Sequence, residues 1–166
     1  MVSVGAGASR LIEALLDDGH RVVAVDIARG ALDALATRLT DADELIATGR
    51  LQLVEADVRD VHLDETVDVW HDRAVFHFLV DPGDRACYAA AAAAAVRPGG
   101  HLVIATFAPT GPDSCSGLPV ARHDGRSIAA AFSSHFDLVE AWEADHLTPW
   151  GAVQRFTHAV LRRRDD

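Results

Sequence analysis

The sequence predicts an α/β fold: a doubly wound, mostly parallel sheet that ends in an antiparallel hairpin at one edge. Short apolar runs alternate with stretches of helical periodicity along most of the 166 residues, the pattern of strands joined by helical crossovers. The last two apolar runs break that rule. The stretch between them contains Pro149 and Gly151 and is too short for a helical crossover, so they must pair antiparallel.

Val2 to Val4 is a short apolar strand that runs into Gly5-Ala6-Gly7-Ala8-Ser9. Leu11, Ile12, Leu15 and Leu16 recur at helical spacing, and Gly19 closes that helix. Arg21 to Val25 is the second strand and ends in Asp26; Ala28, Leu32, Leu35 and Leu39 then mark one face of a second helix. Leu51 to Ala56 forms a third strand ending in Asp57, and Val67 to Trp70 a fourth, followed by His71-Asp72-Arg73. Asp84 to Val96 reads as a helix containing an unbroken alanine run, a face that packs closely on a sheet. Arg97-Pro98-Gly99-Gly100 turns the chain into a strand from His101 to Phe107, and a Gly, Pro and Ser-rich loop follows from Ala108 to Leu118. A short helix near Arg126 to Phe132 precedes the final strands, about Phe136 to Ala144 and Gln154 to Leu161.

Composition removes whole classes of chemistry. Hydrophobic residues make up 49% and charged residues 24%, an ordinary globular balance without a membrane-length apolar run. The formal net charge of -10 argues against nucleic acid as partner. All 15 Lys+Arg residues are arginine, which excludes Schiff-base lysines, the phosphate-gripping P-loop lysine and the kinase lysine. Cys87 and Cys115 stand in no redox or metal spacing, and the histidines show none either, so the expectation is a metal-free cytoplasmic protein.

Ligands of an open α/β sheet bind beyond the carboxyl ends of its strands, where the informative residues of this chain fall. Gly5 and Gly7 let the backbone turn tightly and approach a ligand beside a helix N-terminus. Asp26 is placed to accept two hydrogen bonds from a ribose diol, and Asp57 to meet the amino group of an adenine. Each has a structural alternative: an ordinary turn for the glycines, a helix cap for Asp26, a loop position for Asp57. Their order at successive strand ends predicts a cleft for an adenosine-containing cofactor.

A nicotinamide dehydrogenase shares that order. The Tyr-x-x-x-Lys pair of short-chain dehydrogenases is impossible without lysine, and Arg10 stands where the dinucleotide fingerprint has its third glycine. The Pro98-Gly99-Gly100 turn and the edge hairpin instead resemble class I S-adenosylmethionine-dependent methyltransferases, from Val2 to about Leu161. The resemblance implies a Rossmann-like fold and S-adenosyl-L-methionine as cofactor. It sets Gly5, Ala6 and Gly7 along the methionine part, Asp26 at the ribose with Ile27 beside the adenine, and Asp57 and Val58 at the adenine amino group and ring. His71 falls in the loop under the sulfonium. Asp72-Arg73-Ala74 through Leu79, with Arg85 and Tyr88, is similar to the thiopurine methyltransferase-type branch, which has Asp-Arg-Gly there; Gly117-Leu118-Pro119 is similar to its Gly-Pro-Pro segment. Ser3 replaces the acid of the family's first motif and Ser9 its third glycine. Members also carry an N-terminal helical segment before the first strand. The expectation is therefore a single domain over 1–166 that is a shortened version of a longer enzyme.

Methyl transfer is an in-line displacement in which the protein mainly aligns nucleophile, methyl and sulfur. The catalytic candidates are His71, Arg73 and His77. His71 orients substrate or removes a proton, unless it merely closes the loop. Arg73 holds an anionic substrate or the cofactor carboxylate, unless it pairs with Asp72 or Asp81. Phe76 and His77 read more readily as core, Trp150 as pocket rim or sheet anchor, and Cys115 as incidental. The expected acceptor is a small molecule or a protein side chain, with sulfur or nitrogen favoured. The rivals are a nicotinamide-binding oxidoreductase and a catalytically impaired methyltransferase-like protein.

Overall fold

The computed structural model describes residues 1–7 and 9–165. Nine strands are present among them: β1 (Val2–Val4), β2 (Val22–Asp26), β3 (Leu51–Glu55), β4 (Val67–Arg73), β5 (Val96–Phe107), β6 (Ser114–Cys115), β7 (Leu118–Pro119), β8 (Phe136–Leu147) and β9 (Val153–Arg163). Seven form one sheet in the order β3-β2-β1-β4-β5-β9-β8, while β6 and β7 make a separate two-stranded ribbon inside the expected loop. The five strands from β3 to β5 pair in parallel; β9 is antiparallel to both β5 and β8. The expected edge hairpin is therefore present, with its second strand inserted next to β5. Because β1 and β4 are neighbours while their crossovers run to opposite sides, a crevice opens beyond their carboxyl ends.

Helices α1 (Leu11–Asp17) and α2 (Arg29–Arg38) bury Ile12, Leu16, Leu32 and Leu35 against Val22, Ala24 and Leu51 on one face of the sheet. A further helix, α3 (Ala42–Ala47), was not expected; none of its residues is fully buried, and Leu45 packs only in part against the core. Two acids in its first turn, Asp43 and Glu44, suit its N-terminal dipole. On the opposite face, α4 (Pro82–Ala95) and α5 (Gly125–Phe132) cover Trp70, Leu102 and Ile104. The alanine run turns Ala89, Ala92, Ala93 and Ala95 to the core, as its lack of bulk allows. Asp81 caps α4 by accepting from Gly83 N–H, with Pro82 in the first turn, and a reciprocal Asp124–Ser127 capping box starts α5.

Two boundaries differ from expectation for one reason: sheet pairing extends past the local signal. His71, Asp72 and Arg73 lie within β4, paired with Val103, Ile104 and Ala105, rather than in a loop after it. Likewise Val96 already pairs with Val67, so Arg97-Pro98-Gly99-Gly100 forms an irregularity inside β5 rather than the turn before it. No helix among the described residues is long and apolar enough to cross a membrane.

Candidate functional site

The glycine segment after β1 is held from three sides. Gly5 has φ +63, a conformation that L side chains rarely adopt, and an added Cβ would run into Val75 Cγ2. At Gly7 an added Cβ would meet Ala31 Cβ at 2.5 Å, so α2 can approach only because no side chain is there. Gly7 N–H donates to Asp26 Oδ2 at 3.2 Å, and Asp26 Oδ1 accepts from Ala28 N–H at 2.9 Å. Asp26 thus closes the loop and holds the residue that precedes α2, rather than capping the helix, while each oxygen keeps a further lone pair. From the far end of α2, Arg38 donates to Gly7 O at 2.9 Å and Ser9 O at 3.2 Å, and its Nε donates to Glu13 at 3.0 Å. Ala6 turns its methyl into the core and donates its N–H to Val25 O. Ala8, within the same motif, lies outside the described residues.

Strand alternation sorts β4 into two roles. Trp70 and Asp72 face α4 and are fully buried, whereas His71 and Arg73 face the opposite side. Asp72 accepts from Tyr88 Oη at 2.6 Å and from the N–H groups of Val75 and Phe76 at 2.9 and 3.0 Å, while Trp70 Nε1 donates to Tyr88 Oη at 2.8 Å. Burial pushes the Asp72 carboxyl up to about 6 against the opposing pull of these hydrogen bonds. The network pins the turn after β4, where Ala74 has φ 70, the conformation that the Asp-Arg-Gly version of this motif would adopt without strain.

A cleft of about 690 Å³ lies between these parts. One wall is Ser3, Val4, Gly5, Ser9, Arg10 and Leu11; the other is His71, Arg73, Ala74, His146, Gln154 and Phe156. Ser3 Oγ sits 3.4 Å from His71 Nδ1, its partner in register across β1 and β4. His71 is held below its ordinary range by burial and by the Arg73 guanidinium. Arg73 meets neither Asp72 nor Asp81. Its guanidinium lies 3.3 Å from His146 Nδ1 and 5.9 Å from the Phe156 ring centre.

The structure therefore brings Gly5, His71 and Arg73 together. Asp26 and Ile27 follow at the end of β2, where Ile27 is 70% exposed, an uncovered apolar side chain beside the carboxylate. Val58 is partly buried against the core. Asp57 is more occupied than expected. Its Oδ1 accepts from Arg59 N and Nε, both at 2.9 Å, and its Oδ2 from Arg59 Nη2 at 2.5 Å, which holds its carboxyl below the usual range. Arg59 also reaches Asp84 at 2.9 Å, tying this strand end to α4. Of four lone-pair sites on Asp57, one remains for a ligand amine.

His77 stays out of the cleft. It is fully buried, with its ring centre 4.5 Å from those of Phe78 and Phe107, and neither ring nitrogen has a partner among the described residues. Burial, with a smaller contribution from His123, pushes it down to about 4. Its contribution is packing, because the 3-10 turn Phe76–Phe78 points both Phe76 and His77 inward. Trp150 is 79% exposed in the β8–β9 turn, which rules out an anchor packed on the sheet; it does not line the cleft either. No cluster of three or more metal-ligating side chains occurs among the described residues.

A family profile described as methyltransferase domain matches residues 2–104, which spans the glycine segment, both acidic strand ends and β4. The chain belongs to the methyltransferase domain family. No curated protein sequence matches it. Among solved methyltransferases, the Burkholderia thailandensis 1,6-didemethyltoxoflavin-N1-methyltransferase, with bound 1,6-didemethyltoxoflavin and S-adenosylhomocysteine, is 23% identical with a TM-score of 0.77 over 99% of this chain and 70% of that one. The N-methyltransferase NodS from Bradyrhizobium japonicum WM9, in complex with S-adenosylhomocysteine, is 15% identical with a TM-score of 0.74 over 99% and 77%. A Mesorhizobium loti S-adenosylmethionine-dependent methyltransferase is 17% identical with a TM-score of 0.75 over 98% and 89%. At these identities the likeness is one of fold.

Sequence reasoning found His71 and Arg73 but missed the part of this methyltransferase cleft that β8 and β9 supply. Gln154, Phe156 and His158 alternate along β9, and His146 pairs with Gln154 in register, but nothing local says that β9 lies beside β5. Arg38 was missed as well; its place one turn beyond Leu35 is the only signal for it.

Proposed function

We propose that this methyltransferase uses S-adenosyl-L-methionine to methylate a nitrogen or sulfur atom of a small molecule. The observation that carries the reading is the glycine segment: Gly5 and Gly7 cannot carry side chains, and the loop they form opens directly onto the cleft. The residues present suit the cofactor. Asp26 keeps lone pairs for ribose hydroxyls, the exposed Ile27 supplies an apolar surface for an adenine, and Asp57 retains one acceptor site. Arg10 at the head of α1 suits the methionine carboxylate. The bound cofactor supplies an activated methyl carbon. The protein supplies alignment, worth up to roughly 7–11 kcal/mol in well-oriented reactions. His71, uncharged at neutral pH, is placed to orient the acceptor or to take a proton from it.

Calorimetry with S-adenosylhomocysteine and with NAD tests the reading. Heat with the former alone is the expected outcome; heat with NAD alone would sink it. Asp26→Ala should weaken S-adenosylhomocysteine binding by about 1–3 kcal/mol, the cost of unmade bonds to a charged group. Unchanged affinity would remove the ribose assignment.

A further inference from the structure

The charge around the cleft is opposite to that of the protein. Acidic residues outnumber basic ones 25 to 15, yet Arg10 and Arg73 line the cleft, with the imidazoles of His71 and His146 beside them, and among the described residues no aspartate or glutamate lines it. Strand alternation produces this separation at its centre. Asp72 would be the obvious partner of Arg73, but it turns to the other face of β4 and is consumed by Tyr88 and two backbone N–H groups. Arg38, Arg59, Arg97 and Arg155 all meet carboxylates. Arg73 meets an imidazole and a ring face, neither of which cancels its charge, and no ion pair reaches it among the described residues. Arg10 stands at the glycine wall and Arg73 at the opposite wall, so the cleft has a positive group for each of two ligands.

Resting on the methyltransferase reading, we propose that the methyl acceptor binds as an anion, with its negative charge held by Arg73 and His146. Such a ligand completes the half-finished contacts of Arg73 and places opposite charge next to a sulfonium. Where the anionic atom is itself the nucleophile, its electron pair forms the bond to the methyl carbon. The carbon–sulfur bond then breaks with its pair going to sulfur, leaving neutral thioether and no proton to remove. Where the charge is a carboxylate elsewhere on the molecule, Arg73 and His146 hold that carboxylate while a nitrogen or sulfur attacks. A proton released from the nucleophile has the uncharged His71 as its acceptor.

Benzoate, benzamide and benzylamine, alike in shape and different in charge, test this by saturation-transfer NMR on the full chain, with and without saturating S-adenosylhomocysteine. Benzoate should bind, benzamide less well and benzylamine not at all. Arg73→Gln should weaken benzoate by about tenfold or more, the effect of losing a charge-assisted hydrogen bond, and His146→Phe by less. Arg97→Gln, at the other end of the strands, should change nothing. Calorimetry should leave S-adenosylhomocysteine affinity in Arg73→Gln within about twofold of wild type, the size of an ordinary surface substitution. Equal binding of benzamide, no binding of benzoate, or an unaffected Arg73→Gln variant would overturn the proposal. So would a loss of S-adenosylhomocysteine instead of benzoate, which would assign Arg73 to the cofactor. Failure of the wild type to bind S-adenosylhomocysteine would remove the methyltransferase reading, and the benzoate series without it still decides the anion site.

Discussion

The two walls of the cleft are built on opposite principles. Behind the glycine wall the backbone carbonyls of Gly7 and Ser9, the N–H of Gly7 and the carboxylate of Asp26 all have protein partners before any ligand arrives. In the opposite wall Arg73 holds only an imidazole and a ring face, and β8 beyond it is exposed along nearly its whole length. The first wall suits a ligand of fixed structure, since preformed geometry lowers the cost of binding. The second leaves its strongest electrostatic contact to be completed by the ligand. On the proposed reading, cofactor recognition resides in local backbone geometry, and acceptor recognition in side chains gathered from three distant strands.

The largest expected effect breaks the first wall. Gly5→Ala forces an L side chain into φ +63 and against Val75, and should cost about 2–5 kcal/mol of stability. Denaturant unfolding measures this, and a loss below the lower figure would mean that the segment relaxes. The next effect concerns the scaffold between the walls. His77 is held near 4, below its unfolded value, so its contribution is present above pH 6.5 and is lost as pH falls through 4. Asp72 is raised to about 6 and runs the other way: its contribution is present below pH 3.8 and is lost as pH rises through 6. His77→Phe should reduce the stability lost between pH 6.5 and 4 by about 3 kcal/mol, read from urea midpoints across that range. It should also leave methyl transfer intact, which a catalytic His77 would not.

Smaller effects sharpen the comparison. Arg38→Gln removes the clamp on Gly7 O and Ser9 O without touching a ligand, and should weaken S-adenosylhomocysteine binding by about 1–2 kcal/mol while sparing benzoate. Equal losses of both ligands would show that the walls are not independent. Ala74→Gly relieves the left-handed strain in the turn after β4 and should raise stability by about 1 kcal/mol, seen as a higher Tm. No gain would mean that the turn is held by its contacts rather than strained.

Much of the first wall was legible in the sequence, because each of its parts announces itself locally. Glycines mark the tight turn, and an acid closes each of two apolar runs. Asp57 was legible in place but not in state, since Arg59 lies too near in sequence to suggest that it bonds both carboxylate oxygens. His77 was legible only as an alternative: a histidine between phenylalanines reads equally as ligand or filler until the 3-10 turn directs it inward. The helix α3 left little trace in the apolar pattern because only Leu45 packs, in part, against the core.

The sequence by itself determined the order of the seven sheet strands along the chain and of the helices that pack on them, the antiparallel edge and the glycine segment with its acid partner. These follow from periodicity, from connection length and from the conformations that glycine alone reaches at low cost. Only the tertiary structure decided which side chains share the cleft. The insertion of β9 beside β5 brings His146, Gln154 and Phe156 to Arg73, and the alternation of β4 sends Asp72 away from it. Long-range pairing sets that register, and it gave an acidic chain a cleft with no carboxylate in its lining among the described residues.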